Sequence, residues 1–167
     1  MKVLKFGGTS VGSVPNIIRV RDIVAGQSGD QVVVVSALGG ITDKILNAAK
    51  MAALGTGFFT EEMEVIRRRH RDITEGLFPD PEPVYAAVEV ILTELEQVLT
   101  GITLVSELTP KTLDRLLGMG ERMSSIIISR FFEAELLNAA EFIVTDSHFG
   151  KAAVDYRETN QRIQHLF

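Results

Sequence analysis

Lys5-Phe6-Gly7-Gly8-Thr9-Ser10-Val11-Gly12 places a lysine and paired glycines at the end of a short apolar run. Glycines after a strand let backbone N–H groups approach a phosphate, and the N-terminus of a following helix adds positive potential. Lys5 contributes a full charge at the strand's end. The order is neither a Walker A loop, in which lysine follows the last glycine, nor G-x-G-x-x-G. A tight strand-to-helix turn with a solvated lysine uses the same residues. The second candidate is Ser36-Ala37-Leu38-Gly39-Gly40-Ile41-Thr42-Asp43. Ser36 falls at the C-terminal end of a β-branched run, where open α/β sheets hold ligands. Thr42 either meets that ligand or N-caps the next helix. The third is Gly118-Met119-Gly120-Glu121-Arg122-Met123-Ser124. A glutamate inside an otherwise apolar helix is costly unless paired, so Glu121 either holds an ammonium or pairs with Arg122 or another arginine.

These residues need elements to position them. Val3 to Phe6 reads as a strand ending at Gly7-Gly8. Ser13 is a helix N-cap with Pro15 tolerated in the first turn. Ile17, Ile18, Val20, Ile23 and Val24 predict that helix's buried stripe, and Gly26 and Gly29 stop it. Val32 to Val35 is a run without alternation, as expected of a strand covered on both faces in a parallel sheet. A helix follows from about Thr42 to Leu54. Strand, glycine loop and helix thus occur twice, which predicts an α/β domain. Met63, Ile66, His70, Ile73 and Leu77 then share one helix face. Phe78 to Pro83 breaks it, and Val84, Val88, Ile91, Leu95 and Val98 mark a second amphipathic helix. A third helix runs from about Lys111 to Asn138, apolar nearly all round between Met123 and Phe132 and so buried. Phe142 to Val144 reads as strand, and a last helix starts near Arg157.

Other features carry less chemistry. Arg67-Arg68-Arg69-His70-Arg71 shares its helix with Glu61, Glu62 and Glu64, and reads as a solvated face with intrahelical pairs. His148 beside Asp146 and Ser147 lacks the G-x-S-x-G elbow of a triad. The 167 residues contain no Cys and three scattered His, which removes disulfides, thiolate chemistry, iron–sulfur clusters and the usual zinc sites. A net charge of −5 argues against a nucleic-acid surface. No apolar stretch reaches the roughly 18 residues of a membrane span, and the N-terminal run breaks at glycines before a signal-peptide core forms. The expectation is a cytoplasmic protein.

Taken together, the three sites resemble the aspartokinases of the amino-acid kinase family. The run Lys5 to Val11 is similar to their opening signature, Val35-Ser36-Ala37 with Gly40 to Asp43 to their second motif, and Gly120 to Ser124 to their third. Thr145-Asp146 with Phe149 to Ala152 resembles a later family segment. Gly101 to Leu104 before Glu107-Leu108 looks most like the subgroup fused to homoserine dehydrogenase. The resemblance implies the amino-acid kinase fold, a three-layer sandwich with a mainly parallel sheet, and a helical hairpin at about 60–100. It implies ATP-dependent phosphorylation of the L-aspartate side-chain carboxylate to 4-phospho-L-aspartate, the first step toward lysine, threonine, methionine and isoleucine. By this analogy Lys5 stabilises the transferring phosphoryl group, and Gly7, Gly8 and Thr9 or Ser10 line the phosphate site. Ser36, Thr42 and Glu121 meet the amino acid, with Glu121 taking its ammonium. Mg²⁺ accompanies the nucleotide, and no metal ligand of the chain is implied.

The family's second glycine-rich motif, its nucleotide lobe and its regulatory domains have no counterpart in these residues. Residues 1–167 are therefore expected to be the N-terminal, aspartate-binding lobe of a longer kinase, with little or no turnover alone and no tightly bound cofactor. Two other readings remain at this point. One is a non-catalytic module that binds aspartate or self-associates as a homo-oligomer through exposed apolar surface. The other is a different amino-acid kinase, acting on glutamate or acetylglutamate.

Overall fold

A computed structural model describes residues 1–55 and 57–166 of the chain. Strand β1 (Lys2–Phe6) leads through helix α1 (Val14–Ala25) to strand β2 (Gln31–Val35), and α2 (Ile41–Ala53) follows. Then come α3 (Phe59–Leu77), α4 (Glu82–Val105), α5 (Pro110–Phe132), a 3₁₀ turn at Ala139–Glu141 and α6 (Tyr156–Leu166). The two strands pair in parallel, with Val3 opposite Val32 and Phe6 opposite Val35, so the α/β class holds. Thr56 and Phe167 lie outside the described residues.

Each boundary has a local cause. Ser13 caps α1 by accepting from the Asn16 N–H at 3.4 Å. Phe78 is extended (φ −122°, ψ 135°) because it precedes Pro79, and α3 ends there. Pro83 sits in the first turn of α4, where its missing N–H costs nothing. The pair α3 and α4 is the helical hairpin. The core lies among α2 to α5: Ile45, Met63, Ile66, Leu92, Leu95, Leu99, Leu116, Met119 and Met123 are all under 3% exposed. Ala48, Ala49 and Ala52 of α2 are fully buried, and their small side chains let neighbouring helices come close.

Several expectations are corrected. The valines of β2 are half-buried, with Val34 43% exposed. Among the described residues the sheet has only these two strands, so its outer sides stay open. Ile18 and Ile23 leave the expected stripe of α1 for the surface, and Ile17 and Val20 carry the burial. Helix α5 ends at Phe132 rather than near Asn138. Glu133 turns left-handed (φ 53°), and the Ala134 N–H reaches back to the Ser129 carbonyl, closing the helix without glycine. Phe142 to Val144 forms no strand. The Val144 N–H donates to Thr159 Oγ1 at 2.9 Å, and pairing stops at one antiparallel bridge, Thr145 to Val154, made by the Asp155 N–H on the Val144 carbonyl and the Asp146 N–H on the Ala153 carbonyl. The arginine run is tied mostly across helices: Arg67 to Glu89 and Glu96, and Arg71 to Glu82. Arg71 to Glu75 is the intrahelical exception. No helix among the described residues is long and apolar enough to cross a membrane.

Candidate functional site

The two glycine loops leave the same ends of neighbouring parallel strands and pack backbone against backbone. After Phe6 the chain turns sharply, with the Gly7 carbonyl accepting from Ser10 at 2.9 Å and Val11 at 3.3 Å. Val11 is fully buried and anchors the loop. A Cβ on Gly12 would stand 2.9 Å from the Gly8 carbonyl oxygen, and one on Gly39 would stand 3.1 Å from that same atom. Gly12 is held to glycine by the tight turn of its own loop, and Gly39 is crowded by contact between the two loops. Gly40 is required by conformation: it begins α2 in the left-handed region (φ 82°). The start of α2 has no side-chain cap, so Thr42 does not N-cap the helix. The Ile41 N–H is taken by the Leu38 carbonyl at 3.0 Å, but the amides of Thr42 and Asp43 have no acceptor among the described residues and give an end of positive potential that suits an anion. The amides of Gly8 and Thr9 likewise have no acceptor among the described residues.

Helix α5 closes the third side. Gly120 is buried, and a Cβ there would meet Ala37 Cβ at 3.0 Å and Ile45 Cδ1 at 3.3 Å. This close approach lets Ser124 Oγ donate to the Ser36 carbonyl at 2.7 Å, tying the end of β2 to α5. Glu121 is then set half-buried at the mouth of a cleft of about 400 Å³. The third motif is thereby explained residue by residue: Gly120 permits contact, Glu121 faces the cleft, Met123 fills the core and Ser124 pins the strand.

The cleft brings together Gly8, Thr9, Ser36, Thr42 and Glu121 from all three candidate motifs. Lys5, Gly7 and Ser10 do not line it. Lys5 is exposed, with its ammonium 3.6 Å from where a Cβ on Gly7 would stand. Gly39 and Asp43 also line the cleft, beyond the site residues that the motifs assign. The glycine pair signals a loop, but only the packing of Gly39 on Gly8 shows its place. Arg122 pairs with Glu94 at 3.5 Å, as does Arg115 at 2.7 Å. The Glu121 carboxylate has no ion pair or hydrogen bond among the described residues. The arrangement can therefore accept a zwitterion, with its carboxylate at the amides and its ammonium at Glu121. His148 lies 3.1 Å from Asp146 in an exposed pair away from these residues, and the His148 N–H holds the Asp146 carboxyl below its usual range.

Two glycines of α5 test the packing argument. Gly118 faces open space, so Gly118→Ala is expected to stabilise the chain by about 0.5–1 kcal/mol through helix propensity. Gly120→Ala meets the short Ala37 side chain, which cannot swing aside, and is expected to destabilise by about 1 kcal/mol net. Denaturant midpoints of the two variants check this, and equal shifts of one sign would refute it.

The comparisons with known proteins agree with this geometry. The model of the amino acid kinase family matches residues 1–167. An aspartokinase of Chlamydia trachomatis is 33% identical over 158 residues, covering 92% of this chain and 34% of that protein. A bifunctional aspartokinase/homoserine dehydrogenase 2 of Escherichia coli is 28% identical, covering 83% of this chain and 18% of that protein. The crystal structure of E. coli aspartokinase III in complex with aspartate and ADP superposes with a TM-score of 0.91 at 26% identity, covering 99% of this chain and 37% of that one. The chain thus spans about a third or less of the length of these relatives. A parallel strand pair, two interlocked glycine loops and a family model matched end to end make the chain a member of the amino acid kinase family.

Proposed function

We propose that this chain is the aspartate-binding lobe of an ATP-dependent aspartokinase. The observation that carries the reading is the unpaired Glu121 carboxylate across the cleft from the uncapped start of α2. An amino acid satisfies both at once: Glu121 takes the ammonium, and the free amide of Thr42 with the Ser36 hydroxyl takes a carboxylate. Similarity to a protein solved with aspartate and ADP supports this ligand pair. A side-chain carboxylate oxygen then attacks the terminal phosphorus of ATP, the bond to the bridging oxygen breaks, ADP leaves, and 4-phospho-L-aspartate forms. The carboxylate is already a nucleophile, so the chemistry needs position and charge neutralisation more than a base. Gly7, Gly8, Thr9 and Ser10 offer main-chain and hydroxyl donors to the phosphates, and Lys5 supplies a cation beside them. No group of three His, Asp or Glu among the described residues is placed to hold a metal, so the Mg²⁺ is assigned to the nucleotide's phosphates.

Because the chain spans about a third of its relatives' length, the remaining parts of the site are assigned to the rest of such a kinase. Turnover by this chain alone is expected to be negligible. Calorimetric titration tests the reading. L-Aspartate should bind, and succinate, which lacks the ammonium, should bind at least about tenfold more weakly. Equal binding of the two would overturn the assignment of the cleft. In the full-length kinase Lys5→Ala should lower turnover and leave the melting temperature unchanged, since an exposed lysine carries little folding energy. Full turnover in that variant would remove Lys5 from the phosphate site.

A further inference from the structure

Arg69 stands on α3, outside the cleft, yet its Nη2 donates to the main-chain carbonyl of Gly12, 57 positions earlier in the chain. Gly12 is the residue whose backbone lies against both Gly8 and Gly39. Two turns further along the same face of α3, a Cβ on Gly76 would stand 2.6 Å from Val14 Cγ2. Helix α3 therefore touches the chain on both sides of Ser13, the residue that caps α1. Two other loop carbonyls are tied as well: that of Gly7 accepts from Ser10 and Val11, and that of Thr9 from Asn16 Nδ2 at 2.9 Å. Among the described residues Arg69 makes no ion pair, whereas Arg67 and Arg71 of the same run are matched by glutamates.

We propose that Arg69 is a positioning residue: it holds the Gly7–Gly12 loop against the Gly39 loop and so fixes the donors at the cleft. A charge-assisted bond to a carbonyl is stronger than a neutral one, and its loss frees the last carbonyl of the loop. The effect on ligand binding rests on the reading of the cleft as an aspartate site. The hold on the loop does not.

Amide exchange of the chain followed by NMR tests the proposal with Arg69→Ala and Arg69→Lys. The reporters are the bonded amides of Ser10, Val11 and Gly12, with Leu95 and Leu99 in the core of α4 as references. In Arg69→Ala the loop amides should exchange about tenfold faster while those of α4 keep their rates. Arg69→Lys, which retains a cationic donor, should fall between. Wild-type exchange in the loop of Arg69→Ala would overturn the proposal, and so would equal acceleration in α4. Should Arg69→Ala fail to fold, Arg69→Met, which keeps an apolar stem and has no donor, carries the same comparison. Aspartate titration completes the test: affinity should fall in Arg69→Ala and partly return in Arg69→Lys. A wild-type chain that binds no aspartate would remove the functional reading and leave the exchange data to decide on Arg69.

Discussion

Glu121→Ala is expected to weaken L-aspartate binding by about 30-fold or more and to leave the melting temperature unchanged. The loss follows from removing the side-chain partner offered to the ligand's ammonium in a half-buried position. The unchanged stability follows from what Glu121 does not do. Its carboxylate has no hydrogen bond or ion pair among the described residues, and Arg122 and Arg115 are already matched by Glu94. Deleting a partly desolvated, unpaired charge frees no partner and opens no hole in the core. Glu121→Gln should behave like the alanine variant for aspartate, because it keeps the shape and loses the charge. In a turning-over kinase the same change should raise the aspartate KM. If calorimetry found wild-type affinity in Glu121→Ala, or if the variant melted early, Glu121 would be a packing residue.

Acid should unfold the chain through His70. This side chain is fully buried on α3, and its Nδ1 donates to the Ile66 carbonyl at 2.8 Å. That bond places the neutral ring's proton on Nδ1. A second proton would go to Nε2, which is buried with no partner among the described residues. Burial, and secondarily the nearby Arg69 charge, push the pKa down from 6.5 to about 4, against the opposing Ile66 bond. The folded state thus requires the neutral ring. Its contribution is complete above pH 6.5 and is lost as the pH falls from 6.5 toward 4, where the loss reaches about 3 kcal/mol. Denaturant unfolding at pH 7.5 and pH 4.5 measures this. His70→Phe should lose less stability than the wild type between those two values. Parallel curves for the two proteins would show that His70 is not the acid-sensitive group.

His70 also shows how far helical spacing alone can be read. Its place in the series Met63, Ile66, Ile73 marks it as an inward position, since that spacing defines a buried face. The same logic finds α4, the cap at Ser13 and the parallel pairing of two glycine-ended strands. It fails where a long-range partner decides the outcome. Phe142 to Val144 has strand-like residues, but Thr159 takes the Val144 N–H that a ladder would need to run on from the bridge. The arginine run reads as intrahelical when only α3 is considered, whereas most of its glutamate partners belong to α4. In the site, Ser36, Thr42 and Glu121 are recognisable by motif, and the cleft contains all three. The places of Gly39 and Asp43 and the Ser124 bond to Ser36 are not, because they depend on how closely α5 and the first loop approach the second. Thr42 is ambiguous between cap and ligand contact by residue type, and Gly40 resolves it by taking the cap position.

The central claim is that three separated motifs form one aspartate site. Titrating the isotope-labelled chain with L-aspartate and following its amide resonances tests this most directly. The account predicts saturable shifts concentrated at Gly8, Ser36, Gly39, Thr42 and Glu121, with the hairpin amides beyond Arg71 unmoved. Saturable shifts centred elsewhere, or none up to saturating ligand, would contradict it.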